Sequence, residues 1–137
     1  MLSKFVVKGR PVGKDRPRFT RSGHAYPTKK NQDYMRLVGE SYKAAGGHWY
    51  GRAPVKIRII ADMQLPKRTP KKMIEKLLAV LHPVKRPDVD NVAKIIMDGL
   101  NGIAYVDDAQ VWKLEIEKRN ALEGKVTVWV EGEEEQQ

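Results

Sequence analysis

Three segments of this chain alternate apolar and polar residues with a period of two, and that pattern fixes the frame of the fold. Val55, Ile57, Ile59 and Ala61 alternate with Lys56, Arg58, Ile60 and Asp62. Trp112, Leu114 and Ile116 alternate with Lys113, Glu115 and Glu117, and Val126, Val128 and Val130 repeat the pattern after Gly124. Successive strand side chains point to opposite faces, so each segment predicts a strand with one buried face. Leu2–Lys8, closed by Gly9, predicts a further strand at the start.

Between these strands the period lengthens. Tyr34, Leu37, Val38, Ser41, Tyr42 and Ala45 recur at helical spacing until Gly46-Gly47 stops the helix. Thr69 reads as an N-cap with Pro70 at the first helical position, turning Met73, Ile74, Leu77 and Leu78 to one side. A third helix is expected to begin at Asp88–Asp90, to carry Val92, Ala93, Ile96 and Leu100 inward, and to end by Gly99 or Gly102. The order β-α-β-α-α-β-β predicts an α/β domain: a small mixed sheet, closed by an antiparallel-looking strand pair, with helices packed on one face. The chain has 137 residues, enough for one domain with its own core. That domain is expected over residues 1–130, with residues 131–137 an acidic, disordered tail.

The absence of cysteine excludes a disulfide framework, a cysteine nucleophile and zinc–thiolate sites, and accords with the reducing cytoplasm expected as its location. No apolar run reaches the roughly 20 residues of a membrane span, and Phe5-Val6-Val7 is too short for a secretory signal. Charge says more. Twenty-six Lys and Arg against 17 Asp and Glu give +9, and residues 1–36 alone carry +8. Residues 1–130, without the glutamates of the tail, carry +13. Such a body suits a polyanionic partner, most often nucleic acid; the plain alternative is a surface tuned for solubility. The basic stretch from Arg10 to Lys30 is broken by Pro11, Gly13, Pro17, Gly23 and Pro27, and predicts a long functional loop. Lys14, Arg16, Arg18, Arg21, Lys29 and Lys30 are its phosphate-contact candidates, joined by Lys85 and Arg86; Lys67, Arg68, Lys71 and Lys72 form a second group. Phe19 and Tyr26, lying among arginines, are the stacking candidates, whereas Tyr34, Tyr42 and Trp112 sit on buried periodicities.

Inside this basic protein the acids gather in one place. Lys85-Arg86-Pro87-Asp88-Val89-Asp90-Asn91 leads to Lys94, Asp98 and then Asp107-Asp108-Ala109-Gln110. An extended Asp88-Val89-Asp90 points two carboxylates to one side, and Lys94 and Asp98 follow Asp90 along one helix face. Crowded carboxylates repel unless a cation lies between them, and hard oxygen ligands without His or Cys favour Mg²⁺ or Mn²⁺. Near a DNA backbone, such a site hydrolyses phosphodiesters, with Lys94 on the phosphate. Spacing alone leaves a second reading equally open, in which these aspartates are helix caps and turn residues. Of Asp107 and Asp108, adjacent on the chain, only one is expected to face the site. His24, His48 and His82 lack metal-ligand spacing, and no nucleophile elbow, P-loop or dinucleotide fingerprint is present.

The run Arg86-Pro87-Asp88-Val89-Asp90-Asn91, with Lys94, Asp98, Asn101-Gly102 and Asp107-Asp108-Ala109-Gln110, resembles the RusA family of Holliday-junction resolvases. Lys14-Asp15-Arg16-Pro17-Arg18-Phe19 is similar to the basic loop after that family's first strand. The resemblance covers most of the chain. It implies a small, often prophage-encoded, homodimeric Mg²⁺-dependent endonuclease that resolves four-way DNA junctions by paired nicks, in recombination and repair. It also implies catalytic, metal-binding acids at Asp88, Asp90 and Asp108, an essential lysine at Lys94, and a supporting or additional ligand at Asp107. A nuclease for other branched DNA and a non-catalytic basic nucleic-acid-binding protein are the alternatives; a membrane-surface protein fits poorly, because no predicted helix is both basic-faced and strongly amphipathic.

Overall fold

The computed structural model describes residues 1–133. Its frame is a four-stranded sheet built from β1 (Leu2–Lys8), β4 (Val55–Gln64), β5 (Val111–Ala121) and β6 (Lys125–Gly132). Two short strands, β2 (Arg18–Phe19) and β3 (Ala25–Tyr26), form a separate ribbon within the basic loop. The helices are α1 (Lys29–Ala44), α2 (Lys71–Ala79) and α3 (Val89–Leu100), and a 3₁₀ turn, Asp108–Gln110, precedes β5. The expected small α/β domain with a mixed sheet and three helices is therefore what forms, with the ribbon added.

The sheet order is β1-β6-β4-β5. β6 runs antiparallel to both β1 and β4, while β4 and β5 are parallel. The expected antiparallel pair at the end of the chain is thus corrected: β4 lies between β5 and β6. A parallel pair needs a long crossover, and here residues 65–110 provide it, carrying α2, α3 and the acids.

Register puts Phe5, Val7, Val126, Val128, Val130, Ile57, Ile59 and Ala61 on one face, all buried. That face is covered by α1, through Tyr34, Val38 and Tyr42, and by α3, through Val92, Ala93, Ile96 and Leu100. Ile95 and Tyr105 complete the same core. The two helices touch closely at Gly99, where an added Cβ would lie 2.9 Å from the Cβ of Val38.

Several local expectations change. Trp112 is 58% exposed rather than core. β5 is an edge strand, and the register shifts so that Trp112 is the extra residue between the pairs Val55–Val111 and Lys56–Lys113. Such a bulge turns its side chain out of the alternation. Ile60, on the outward parity of β4, is nevertheless buried, between Glu117 of β5 and Thr127 of β6 in the register. The cap of α2 is Pro70, not Thr69, whose hydroxyl donates instead to the Pro66 carbonyl at 2.6 Å. No residue of α2 is fully buried: Ile74 and Leu77 are half-buried, Met73 and Leu78 exposed. The helix lies at the edge strand, where Asn120 donates to the Leu77 and Leu81 carbonyls. Finally, Glu131 and Gly132 belong to β6 rather than to a tail, and Glu131 pairs with Lys56 at 3.2 Å. Of the rest of the expected tail, Glu133 donates its amide to the Pro54 carbonyl at 3.0 Å, and residues 134–137 lie outside the described residues.

Candidate active site and nucleic-acid interface

The basic loop does not wander over the surface; two asparagines fix its first part. Asn31, fully buried in the first turn of α1, accepts from the Asp15 amide at 2.8 Å and donates to the Gly13 carbonyl at 3.3 Å. Asn91, in the first turn of α3, accepts from the Lys14 amide through its backbone carbonyl at 2.9 Å. Contact is so close that a Cβ on Gly13 would sit 2.8 Å from the Pro87 Cβ and 3.1 Å from the Asn91 Cβ. A groove results between the loop and the start of α3, lined by Lys14, Arg16, Lys30, Arg86, Asp88 and Asn91 among others. The segment entering α3, which contains the cis Arg86–Pro87 peptide, is held by Lys118, whose ammonium donates to the carbonyls of Lys85 and Pro87.

Asp88 occupies the N-cap position of α3 in extended backbone, yet its carboxylate makes no capping hydrogen bond. Asp90 sits in the first turn, and both residues are exposed. The cap reading therefore fails for the Asp88 side chain. It holds for Asp107, whose carboxylate accepts from the Ala109 amide at 3.1 Å while Gln110 Oε1 accepts from the Asp107 amide. Gln110 also donates to the Gly51 and Ala53 carbonyls, tying this turn to the loop before β4. With Asp107 committed to the turn, Asp108 reaches α3. One of its oxygens lies 3.5 Å from the Lys94 ammonium and the other accepts from Asn101 Nδ2 at 3.3 Å.

Lys94 is held from two sides, by Asp98 at 3.0 Å and by Asp108. The hydrogen bond to Asp98 raises the Lys94 pKa, burial opposes this, and the charges of Asp98 and Asp108 add to the rise. Lys94 is therefore a firmly charged ammonium. Burial alone would push the Asp108 carboxyl up; Asn101, Lys94 and a backbone amide outweigh it and hold the group below the usual carboxylate range. Asp98 has a second cation, Lys14, at 3.2 Å, which also contacts the Met35 sulfur. Of the predicted phosphate contacts, Lys14 thus differs from the others: it is mostly buried and joins the loop to α3. Arg16, Arg18, Arg21, Lys29, Lys30 and Arg86 are exposed, as is Lys85, whose ammonium donates to the Gln64 carbonyl.

Lys94, Asp98 and Asp108 are thus brought together, with Asp90 one turn earlier on the same stripe of α3. Among the described residues no three acidic or histidine side chains converge as a ready-made metal cage. The donor chemistry still fits a small hard cation, which takes oxygen ligands and keeps several waters, so few carboxylates suffice. Beside Asp108, Asn101 Oδ1 is buried without a hydrogen-bond partner, an acceptor that an ordered water would satisfy. Sequence reasoning named these residues but missed two of the contacts that join them. Asn101 follows α3 as its C-cap and gives no sign of holding Asp108. The bond between Asp98 and Lys14 spans 84 positions and leaves no local trace, although the spacing of Lys94 and Asp98 does.

No helix among the described residues is long and apolar enough to cross a membrane. The chain is 32% identical over 136 residues to the uncharacterized protein YqaN of Bacillus subtilis (strain 168), covering 93% of this chain and 94% of that one. Residues 8–131, nearly the whole chain, match the family described as Endodeoxyribonuclease RusA. This chain belongs to the RusA endodeoxyribonuclease family.

Proposed function

We propose that this protein is a homodimeric resolvase that cuts four-way DNA junctions by metal-dependent phosphodiester hydrolysis at Asp88, Asp90 and Asp108, assisted by Lys94. The observation that carries this reading is the meeting of Asp108 and Lys94. Two parts of the sequence motif, 14 positions apart, come within 3.5 Å beside a cationic groove. Family membership supports DNA endonuclease chemistry.

Mg²⁺, or Mn²⁺ in its place, would be held by the carboxylates of Asp88, Asp90 and Asp108, directly or through its own waters, since among the described residues the three do not already form a cage. When bound, the ion supplies a nucleophilic water at neutral pH and offsets charge on the reacting phosphate. The chain's own groups do the rest. Arg16, Lys30 and Arg86 hold the backbone in the groove without reading bases. Lys94, kept protonated by its two carboxylates, donates to a non-bridging phosphate oxygen as negative charge develops there. Asp107 supports Asp108 by fixing the turn that carries it, and Asp98 aims Lys94. Two-fold symmetry of a dimer would match the two equivalent strands of a junction.

The test is strand cleavage of a synthetic four-way junction beside a linear duplex of the same sequence, with Mg²⁺ or with chelator. Wild type should place paired nicks in the junction only, and only with Mg²⁺. Asp90→Asn should abolish nicking and keep junction binding. Unchanged nicking by that variant overturns the residue assignment. Binding without cutting under a series of divalent metals leaves a non-catalytic nucleic-acid-binding protein.

A further inference from the structure

The ribbon within the basic loop has no part in the site just described. It is well braced for its size. The Thr20 amide donates to the His24 carbonyl at 2.9 Å, the Gly23 amide donates to the Thr20 carbonyl at 3.0 Å, and Thr20 Oγ1 accepts from the His24 amide. Gly23 has φ +84°, the left-handed geometry that this turn needs and glycine supplies. At the base, Thr28 and Asn31 hold Asp15. This is a formed finger, not a slack loop.

Its side chains do not serve the core. Phe19 is 66% exposed and Tyr26 41% exposed. In the register Arg18 pairs with Tyr26 and Phe19 with Ala25. Paired residues share a face, so each face of the ribbon carries one aromatic ring. Arg16, Arg18 and Arg21, all exposed, lie within three positions of Phe19, and Arg18 shares the face of Tyr26. Arginines alone would meet the phosphates of any duplex. Exposed rings add something a duplex cannot use, because its bases are already stacked on one another. Unpaired bases offer open π-faces and carry the negative backbone that the arginines need.

We propose that residues 18–26 form a stacking finger for unpaired bases of branched DNA, with Phe19 and Tyr26 as the base-contacting rings. This rests on the nuclease reading for its biological substrate, but not for its chemistry. It makes the ribbon the element that distinguishes a branch from plain duplex, while the groove at α3 takes backbone of either kind.

The experiment is fluorescence anisotropy with the full chain in chelator, so that no probe is cut. Probes are a single-stranded oligonucleotide, a linear duplex, and a four-way junction with 2-aminopurine at the branch. The Phe19→Ala/Tyr26→Ala double variant should bind single strand and junction roughly ten-fold or more weakly, and duplex within about two-fold. It should also lose the stacking quench of 2-aminopurine. Phe19→Trp/Tyr26→Phe should restore both signals, which a merely structural role would not require. Arg21→Ala should instead weaken all three probes together and lower the salt dependence. Equal loss on duplex and junction, or unchanged binding to single strand, overturns the proposal. Junction nicking by wild type in Mg²⁺, measured in parallel, reports on the nuclease reading separately. A protein that never nicks, yet loses single-strand binding in the double variant, keeps the stacking finger and loses the nuclease.

Discussion

Replacing Asp98 by asparagine keeps the shape of the side chain and removes one negative charge from between two ammonium groups. The two pairs use different oxygens, Lys14 at 3.2 Å and Lys94 at 3.0 Å, and Asp98 itself is only 16% exposed. They should not weigh equally. Lys94 is half in water, so its pair falls in the range of exposed helix pairs, about 0.5 kcal/mol. Lys14 is 19% exposed and its other side-chain contact is the Met35 thioether, a weak acceptor. A charge-assisted bond of that kind contributes about 1.5–2 kcal/mol, including the penalty of leaving the ammonium poorly solvated. Asp98→Asn should therefore cost about 2 kcal/mol, seen as a fall in Tm of roughly 8 °C for a chain of this size. Thermal melts of Asp98→Asn, Lys14→Met and the double variant close a cycle whose coupling should be about 1–1.5 kcal/mol. Junction nicking should fall about ten-fold in kcat with KM little changed, since Lys94 keeps only Asp108. A coupling below about 0.3 kcal/mol, or unchanged kcat, would refute the reasoning, because the carboxylate would then neither join the loop to α3 nor aim Lys94.

Gly13→Ala should lift the loop from Pro87 and Asn91, costing about 1–2 kcal/mol of stability and several-fold in DNA affinity, read by melts and anisotropy on the same preparation. Asp107→Ala removes a cap and should cost about 1 kcal/mol while slowing nicking only modestly, whereas Asp108→Asn should stop nicking at little cost in Tm; equal effects on nicking would dissolve the distinction between the two. Burial raises the Asp62 carboxyl above its ordinary range, with Lys125 and Arg119 opposing in part. The folded chain then holds that proton more tightly than the unfolded chain, so Asp62 contributes most below its unfolded pKa and loses that contribution as pH rises through the folded one. Asp62→Asn should accordingly raise Tm at pH 7, with the gain shrinking toward pH 3; a loss of Tm at pH 7 would show that the pairs with Lys125 and Arg119 dominate.

β1, β6, α1 and α3 were legible because their burial is one-sided. The valines of β6 and the apolar residues of α3 face a single core, and their periods survive in the sequence. Trp112 misled because an edge-strand bulge breaks the alternation without altering the pattern of residues. α2 misled because its apolar residues meet only the sheet's edge. Strand order was not legible either: nothing local in Val126–Val130 says that β6 enters between β1 and β4. At the site, Asp90, Lys94 and Asp98 were readable from helical spacing. Their connection to Lys14 depends on how the loop docks, through Asn31 and Asn91, and no short-range pattern carries that. The two aspartates at 107 and 108 separate only when the 3₁₀ turn assigns one to the cap and the other to α3.

The sheet order also sets a schedule for synthesis. Within this domain β1 is made before the other strands, and its neighbour in the sheet, β6, is made after them. A nascent chain halted before Lys125 has produced every aspartate of the candidate site and every cation of the groove, yet β1 has no strand to bond and the inner face of β4 has lost Val126, Val128 and Val130. Contacts so distant along the chain form slowly and late. An incomplete chain would hold the chemistry of a nuclease without the scaffold that aligns it, so cutting ability arrives only with the last strand.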